Sequence, residues 1–218
     1  PGLTRVVELP AGTRPAALAC RDFNGDGIDD LVVVNRGSPE VEGSAEVIFL
    51  RGGSGGLRLR DHFFAGCQPS AITSGYFDGD HYLDALVANQ GSDSVTELRG
   101  GVDGVRSPRL LQTVRAPTSL ASGDFNGDGF DDALVVALTT HSKTAAELRG
   151  GAHGLEQSGT IQISEINPLK LSFSHATSGF FNRDLLCDVV VVVNPAARLL
   201  YLEGSPDFLR PKVEEIPV

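Results

Sequence analysis

Short apolar runs separated by polar turns rich in Gly and Asp recur along the whole chain. Nearly continuous runs of apolar residues are found at Leu31–Val34, Ala85–Ala88, Ala133–Leu138 and Val189–Val193. Such short runs, rich in β-branched residues, are typical of strands buried on both faces. A helical period does not persist for more than a turn or two anywhere in the sequence. The pattern therefore predicts an all-β protein.

Each of these runs follows a Phe and a polar loop, and the whole arrangement repeats. The phenylalanines are Phe23, Phe77, Phe125 and Phe181, separated by 54, 48 and 56 residues. A second marker keeps the same spacing: F-L-R-G-G from Phe49, E-L-R-G-G from Glu97 and Glu147, and Y-L-E-G from Tyr201. Self-similarity at a period of about 50 residues indicates a repeat architecture.

Each repeat predicts four strands. A short strand precedes the loop, the apolar run follows it, a third strand ends at the Arg-Gly-Gly turn, and a more polar fourth strand suits an outer edge. We place the fourth strands at Leu57–Phe64, Arg109–Val114, Thr160–Ile163 and Lys212–Ile216. Repeated four-stranded antiparallel units indicate blades of a β-propeller. The alternative is a β-sandwich, which does not explain why one loop returns in phase with one turn.

We expect a single propeller domain over residues 1–218, with blades of roughly 15–66, 67–115, 116–164 and 172–218. Residues 2–12 align with the segment 54 positions later, which predicts an outer strand, Arg5–Leu9, of a preceding or closing blade. The four repeats would form a small ring or an arc of a larger one. Because the chain starts at Pro1 and contains no Met, we interpret it as a mature or excised segment of a longer precursor.

Charge and composition narrow the classes of partner. Lys and Arg number 18 against 28 Asp and Glu, a net charge of −10, which argues against a nucleic-acid partner and favours cations. The apolar runs are far shorter than the roughly 20 residues of a membrane span, so no membrane insertion is expected. Three cysteines, Cys20, Cys67 and Cys187, allow one disulfide or three buried free thiols.

Two of the repeated loops have the oxygen spacing of a calcium site. Loop one (22–30) and loop three (124–132) carry side-chain oxygens at positions 1, 3, 5 and 9, Gly at position 6, and a residue at position 7 that offers its carbonyl. Ca²⁺ takes about six to eight oxygen ligands, as such alternate positions can provide. An EF-hand differs, because its bidentate acid stands at position 12. The predicted ligands are Asp22, Asn24, Asp26, Ile28 and Asp30, and Asp124, Asn126, Asp128, Phe130 and Asp132.

Loop two (76–84) and loop four (180–188) depart from this pattern. In loop two, Tyr76 and His81 replace the first acid and the Gly, and the remaining candidate ligands are Asp78, Asp80, Tyr82 and Asp84. In loop four, Phe180 and Leu185 make the same replacements and leave Asn182, Asp184 and Asp188. We expect ions in loops one and three, with loop two as the candidate third site.

Plain turn chemistry is the alternative interpretation, because Asn, Asp and Gly dominate tight turns. A turn does not require three carboxylates, however. Without a cation, close carboxylates repel each other by about 1 kcal/mol per pair in water.

The segment G-D-F-N-G-D-G-F-D-D-A-L-V-V-A from Gly123, with E-L-R-G-G downstream, resembles the FG-GAP/VCBS repeats of integrin-α-type propellers. The resemblance implies that loop positions 1, 3, 5, 7 and 9 bind Ca²⁺. It also implies an extracellular, cell-surface or periplasmic location, because family members act mostly in adhesion, as lectins or beside carbohydrate-active domains. Their rings commonly have seven or eight blades, so four repeats are a departure.

The sequence contains no G-x-S-x-G, H-E-x-x-H or phosphate-binding Gly motif, and its histidines form no cluster with metal-ligand spacing. We therefore expect a calcium-stabilised extracytoplasmic binding, adhesion or self-assembly module that is not an enzyme. Its partner would be a protein, a glycan or a copy of itself. The loops opposite the acidic ones are the candidate contact surface, with Arg36, Glu40 and Glu42 in the longest. The alternative is a lectin-like or catalytic propeller of a carbohydrate-active protein.

Overall fold

The structure is a computed structural model that describes residues 8–41, 43–139, 143–162, 175–193 and 198–212. Within these ranges the strands form four four-stranded antiparallel sheets, each built from consecutive strands. Blade one contains β1 (Pro15–Arg21), β2 (Asp30–Asn35), β3 (Glu46–Arg51) and β4 (Arg58–Phe64). Blade two contains β5 (Pro69–Gly75), β6 (Asp84–Asn89), β7 (Ser94–Arg99) and β8 (Arg106–Gln112). The predicted all-β fold is confirmed.

Blades three and four repeat this order. Blade three contains β9 (Ser119–Gly123), β10 (Asp132–Leu138), β11 (Lys143–Arg149) and β12 (Glu156–Gln162). Blade four contains β13 (His175–Gly179), β14 (Asp188–Val193), β15 (Arg198–Ser205) and β16 (Phe208–Lys212). The prediction of four-stranded antiparallel blades is confirmed. In the described part of the chain, no helix is long and apolar enough to cross a membrane.

The predicted starts of three fourth strands are wrong by three to four residues. β8, β12 and β16 begin at Arg106, Glu156 and Phe208 rather than at Arg109, Thr160 and Lys212. Each pairs with the preceding strand soon after the connecting turn, and in blade four the ladder closes with Ser205 opposite Phe208. In β16 the early residues were missed because Phe208 and Leu209 are buried between blades rather than exposed at an edge, whereas β8 and β12 begin with exposed polar residues close to a turn.

Two predicted segments extend beyond the described residues. Most of the N-terminal strand predicted at residues 5–9 lies outside them, and its last two residues are not in a strand. The end of the strand predicted at 212–216 also lies outside them.

The innermost strands of the four blades stand next to one another in chain order. β1 contacts β5, β5 contacts β9, and β9 contacts β13. All four line a central cavity of about 490 Å³. Hydroxyl groups connect neighbouring blades here: the Thr73 and Ser122 hydroxyl oxygens are 2.6 Å apart, and Ser178 Oγ donates to the Ser122 carbonyl at 2.6 Å.

The hydrophobic core lies between blades, which explains the continuous apolar runs. In β6, Ala85 and Val87 pack against blade one, whereas Leu86 and Ala88 pack against blade three. A strand sandwiched between two neighbours must be apolar at every position. The loop phenylalanines Phe23, Phe77 and Phe125 are fully buried in these interfaces, each against the blade that follows.

Cysteine placement differs from the sequence expectation. All three cysteines are free thiols, so no disulfide joins them. Cys187 is buried, but Cys20 and Cys67 are exposed, and the alternative of three buried thiols is therefore wrong. Cys20 lies on innermost strand β1 beside the central cavity, and Cys67 lies in the connection between β4 and β5.

Two equivalent phenylalanines provide a matched test of the inter-blade core. Phe125 is fully buried between blades three and four, whereas Phe181 is 54% exposed. We expect Phe125→Ala to lower the free energy of unfolding by about 3–5 kcal/mol, because it leaves a cavity in a packed interface. Phe181→Ala should cost less than about 1.5 kcal/mol. Denaturant unfolding measures both, and equal losses would contradict this description of the core.

Candidate metal centre

Loops one and three fold in the same way around the carboxylate at position 1. Asp22 accepts hydrogen bonds from the backbone N–H groups of Gly25, Asp26 and Gly27 at 2.8, 3.2 and 2.8 Å. In loop three, Asp124 accepts from residues 127, 128 and 129 at 2.6, 3.2 and 3.0 Å. In both loops the backbone therefore folds around this carboxylate.

Positions 3 and 5 repeat this hydrogen bonding on a smaller scale. In loop one, Asn24 Oδ1 accepts from the Asp26 N–H at 2.9 Å, and Asp26 Oδ1 accepts from the Ile28 N–H at 3.0 Å. The equivalent bonds from Asp128 to Asn126 and from Phe130 to Asp128 measure 2.8 and 3.0 Å in loop three. Each of these hydrogen bonds engages one side-chain oxygen of the residue at position 3 or 5.

Position 6 requires the left-handed backbone that the sequence suggested. Gly27 and Gly129 have φ values of 83° and 89°. His81 and Leu185, which replace Gly in loops two and four, have φ values of 71° and 70°. A left-handed conformation costs a residue other than Gly about 1–2 kcal/mol, so loops two and four are strained where loops one and three are not.

Loop two brings its carboxylates closest together. Ligand oxygens of Asp78, Asp80 and Asp84 all lie within 4.8 Å of one another, and in the described part of the chain this is the only group of three such acids. Tyr76 contributes no carboxylate; its N–H donates instead to Asp131 of blade three at 2.8 Å. Loop two thus has the tightest acid cluster despite its departures from the pattern.

Loop four is satisfied by donors from the protein. The Asn182 amide nitrogen donates to Asp184 at 2.8 Å and to Asp188 at 3.4 Å. The Tyr201 hydroxyl donates to Asp188 at 2.8 Å, and burial, reinforced by this carboxylate, raises the pKa of Tyr201 to about 12. Asn24 donates to Asp30 in the same way in loop one, at 3.0 and 3.3 Å, so the Tyr201 hydroxyl is the donor that distinguishes loop four, and it occupies an oxygen that a cation would need.

The acid at position 9 connects two parts of each blade. Asp30, Asp84, Asp132 and Asp188 are fully buried at the start of the second strand. One oxygen of each accepts, at 2.8–3.0 Å, the N–H of a glycine at the end of the third strand, which follows the strand in blades one to three (Gly52, Gly100 and Gly150) and is its next-to-last residue in blade four (Gly204). In blade three the other oxygen of Asp132 accepts the N–H of Phe125 at 3.1 Å. This acid is therefore both a candidate ligand and a structural connection.

Two of the three arginines in the Arg-Gly-Gly turns, Arg51 and Arg99, reach the acidic loops, a role that we did not predict from the sequence. Arg51 Nη2 lies 2.9 Å from Asp26 Oδ2, and its hydrogen bond lowers the pKa of Asp26. Arg99 Nη1 lies 3.6 Å from Asp78 Oδ2. The signal was the in-phase return of the Arg with the loop. In blade three Arg149 donates instead to the Asp207 carbonyl, and in blade four Glu203 stands at the equivalent position.

The predicted partner-contact residues lie at the opposite end of blade one. Arg36 and Glu40 are exposed and line a surface cavity of about 510 Å³, and Glu42 lies outside the described residues. Arg36 and Glu40 are not near the acidic loops, because successive hairpins of an antiparallel blade turn at alternate ends of the blade.

Comparison with known families identifies the repeat. Residues 76–135 match the model of the FG-GAP-like repeat family. This segment, which contains loops two and three and strands β6–β9, belongs to that family, so the resemblance seen in the sequence is confirmed. No curated protein sequence matches the chain.

Three solved structures share the propeller fold at low sequence identity. A protein from Lactobacillus plantarum matches with a TM-score of 0.64 and 16% identity over 93% of this chain. A proposed 6-phosphogluconolactonase from Bacteroides uniformis matches with a TM-score of 0.66 and 13% sequence identity over 93% of this chain. BBS1N, in a complex with ARL6DN soaked with lead, matches with a TM-score of 0.58 and 12% sequence identity over 97% of this chain. The chain spans 57% of each of these structures, and at such identities the similarity concerns the fold alone.

The buried acids predict a pH dependence of stability in the absence of divalent cations. Burial, reinforced by neighbouring loop carboxylates, raises the pKa of Asp84 and of Asp132 to about 7. An unfolded Asp has a pKa of about 4, so their stabilising contribution is present below pH of about 4 and is lost as the pH rises to about 7. With a chelator present, we expect unfolding free energy to fall by up to about 1.4 kcal/mol per pH unit for each group.

Single substitutions separate the titration of the buried acids from that of other ionisable groups. Asp132→Asn should reduce the slope of unfolding free energy against pH, measured by denaturant unfolding, whereas Asp61→Asn on exposed strand β4 should not change it. An unchanged slope in Asp132→Asn would contradict the assignment.

Proposed function

We propose that this chain is a calcium-stabilised binding module that acts outside the cytoplasm and has no catalytic activity. The main support is that loops one and three fold around the aspartate at position 1 through the same hydrogen bonds and carry the same set of oxygen-bearing residues. Membership of residues 76–135 in the FG-GAP-like repeat family supports the same proposal. The proposed extracellular, cell-surface or periplasmic location rests on the character of that family.

The residues fit Ca²⁺ chemically. Loops one and three each offer three carboxylates, a side-chain amide oxygen and a backbone carbonyl, all hard oxygen donors. Loop two offers three carboxylates already within 4.8 Å of one another. A cation there would offset their mutual repulsion and keep the buried position-9 acid ionised at neutral pH. We therefore propose sites in loops one, two and three, and none in loop four.

The distribution of unusual acids supports binding rather than catalysis. Acids with a raised pKa, the chemical sign of a general acid, are Asp30, Asp84, Asp131, Asp132 and Glu147. None of them lines either of the two cavities described above. A catalytic propeller of a carbohydrate-active protein is the alternative, and turnover of a polysaccharide or sugar lactone would favour it.

Chelation tests the calcium proposal. Removing Ca²⁺ should lower the melting temperature, because occupancy at 100 times Kd contributes about 2.7 kcal/mol per site. Asp26→Ala and Asp128→Ala should each remove the contribution of one ion, and calorimetry with and without chelator measures the loss.

Asp61→Ala provides the surface control, since this exposed acid lies outside the loops. An undiminished response to chelator in the double variant Asp26→Ala/Asp128→Ala would contradict the assignment of these loops. Elemental analysis that finds no calcium in protein dialysed against Ca²⁺ would contradict the proposal as a whole.

A further inference from the structure

The surface cavity of about 510 Å³ lies between blades one and two, at the end of the blades away from the acidic loops. Its walls come from the β2–β3 connection, the β4–β5 connection, Arg14, and Gln90 of blade two. Cavities of about 300–1,000 Å³ are the usual size of small-molecule sites. The cavity is therefore large enough for one or two sugar rings and too small for a protein surface.

Hydrogen bonds hold the walls of this cavity in place. Ser44 Oγ accepts from the Ser38 N–H at 2.8 Å and donates to the carbonyl of Val41 at 2.7 Å, so these three residues of the β2–β3 connection are held together. The Arg36 N–H donates to the Arg14 carbonyl at 3.0 Å, and the Gln90 N–H donates to the Gln68 carbonyl at 3.1 Å. A ligand entering such a site requires little ordering of the protein.

The described residues that line the cavity carry a net positive charge, opposite to that of the whole chain. Two arginines line it, and Glu40 is the only acid among its described lining residues. Arg36 Nε donates to the Pro69 carbonyl at 3.3 Å, which anchors the side chain and leaves its terminal nitrogens without a partner in the described structure. Arg14 is exposed and forms no ion pair or side-chain hydrogen bond with any described residue. Unpaired guanidinium groups at a cavity are suited to carboxylates.

The remaining lining groups favour a sugar. Ser38, Gln68 and Gln90 provide a hydroxyl and two amides, which pair well with sugar hydroxyls. No aromatic residue is among the described residues that line the cavity, so a neutral sugar would find no ring there to stack on. A carboxylate on the sugar would supply attraction to the arginines instead.

We propose that this cavity binds a carboxylate-bearing sugar, such as a uronic acid residue of an acidic glycan, through Arg14 and Arg36. The inference rests on the proposed binding function and names its ligand class. Glu40 and the amides would select the sugar hydroxyls, and the two guanidinium groups would select the carboxylate.

Methyl β-glucuronide and methyl β-glucoside form a matched pair of probes, because they differ only in the carboxylate. By calorimetric or NMR titration of the calcium-loaded protein, we expect the glucuronide to bind at least tenfold more tightly. Arg14→Gln and Arg36→Gln should each weaken its binding at least fivefold. Arg58→Gln, an exposed arginine of β4 that does not line the cavity, should leave binding unchanged.

Two exposed cysteines locate the bound sugar. Cys67 lines this cavity, whereas Cys20 lies beside the central one. Saturating glucuronide should slow alkylation of Cys67 at least threefold and leave that of Cys20 unchanged. Equal rates with and without glucuronide at Cys67 would contradict the location.

Three other results would overturn the assignment: equal binding of the two probes, no effect of either arginine substitution, or equally tight binding of acetate, inorganic phosphate or a glutamate-containing peptide. The chelator-induced shift in melting temperature is measured on the same samples. A calcium shift without glucuronide selectivity rejects only the ligand class, whereas selective binding without a calcium shift rejects only the calcium proposal.

Discussion

The buried aspartate at position 9 is the interaction on which each blade depends. It joins the loop before the second strand to the end of the third, through the N–H of the glycine there. A Cβ at Gly100 would lie 2.3 Å from the Leu83 carbonyl oxygen, and one at Gly150 would lie 2.2 Å from that of Asp131. The Asp and the Gly therefore recur together, because each buried carboxylate needs a donor that only a residue without a side chain can bring close.

The same loops also connect each blade to the next. The Gly151 N–H of blade three donates to the Phe77 carbonyl at 3.0 Å, and the Asp131 N–H donates to the Tyr76 carbonyl at 3.0 Å. The Cys187 N–H of blade four donates to the Asp124 carbonyl at 3.0 Å. With Phe77 and Phe125 buried in these interfaces, loop geometry and blade packing are coupled. A cation that fixes a loop would consequently stabilise the docking of two blades.

The sequence pattern located the second strands almost to the residue, because both faces of those strands are buried and their composition is decided locally. The pattern was less accurate for β16. Its first residue, Phe208, packs against Phe125 with the ring centroids 5.6 Å apart, and such a contact between blades is set by tertiary structure rather than by the local sequence. Loop one and loop three were correctly expected to fold alike. The acids of loop two were named as candidate ligands, but their being the closest cluster was not predicted, and neither were the contacts of Arg51 and Arg99 with the loops, because both depend on how separate strands bring side chains together.

The acidic loops and the arginines of the cavity lie at opposite ends of the blades, and this separation has a physical consequence. The acidic loops cluster at one end, and Arg14 and Arg36 lie at the other. At physiological salt the Debye length is about 8 Å, so an anion approaching the arginines would be largely screened from the distant carboxylates. Coupling between the ends would instead be mechanical. The cavity spans blades one and two, whose shared interface also contains Phe23 and ends at loops one and two. An ion in either loop would therefore act on the cavity by holding these two blades in one relative position.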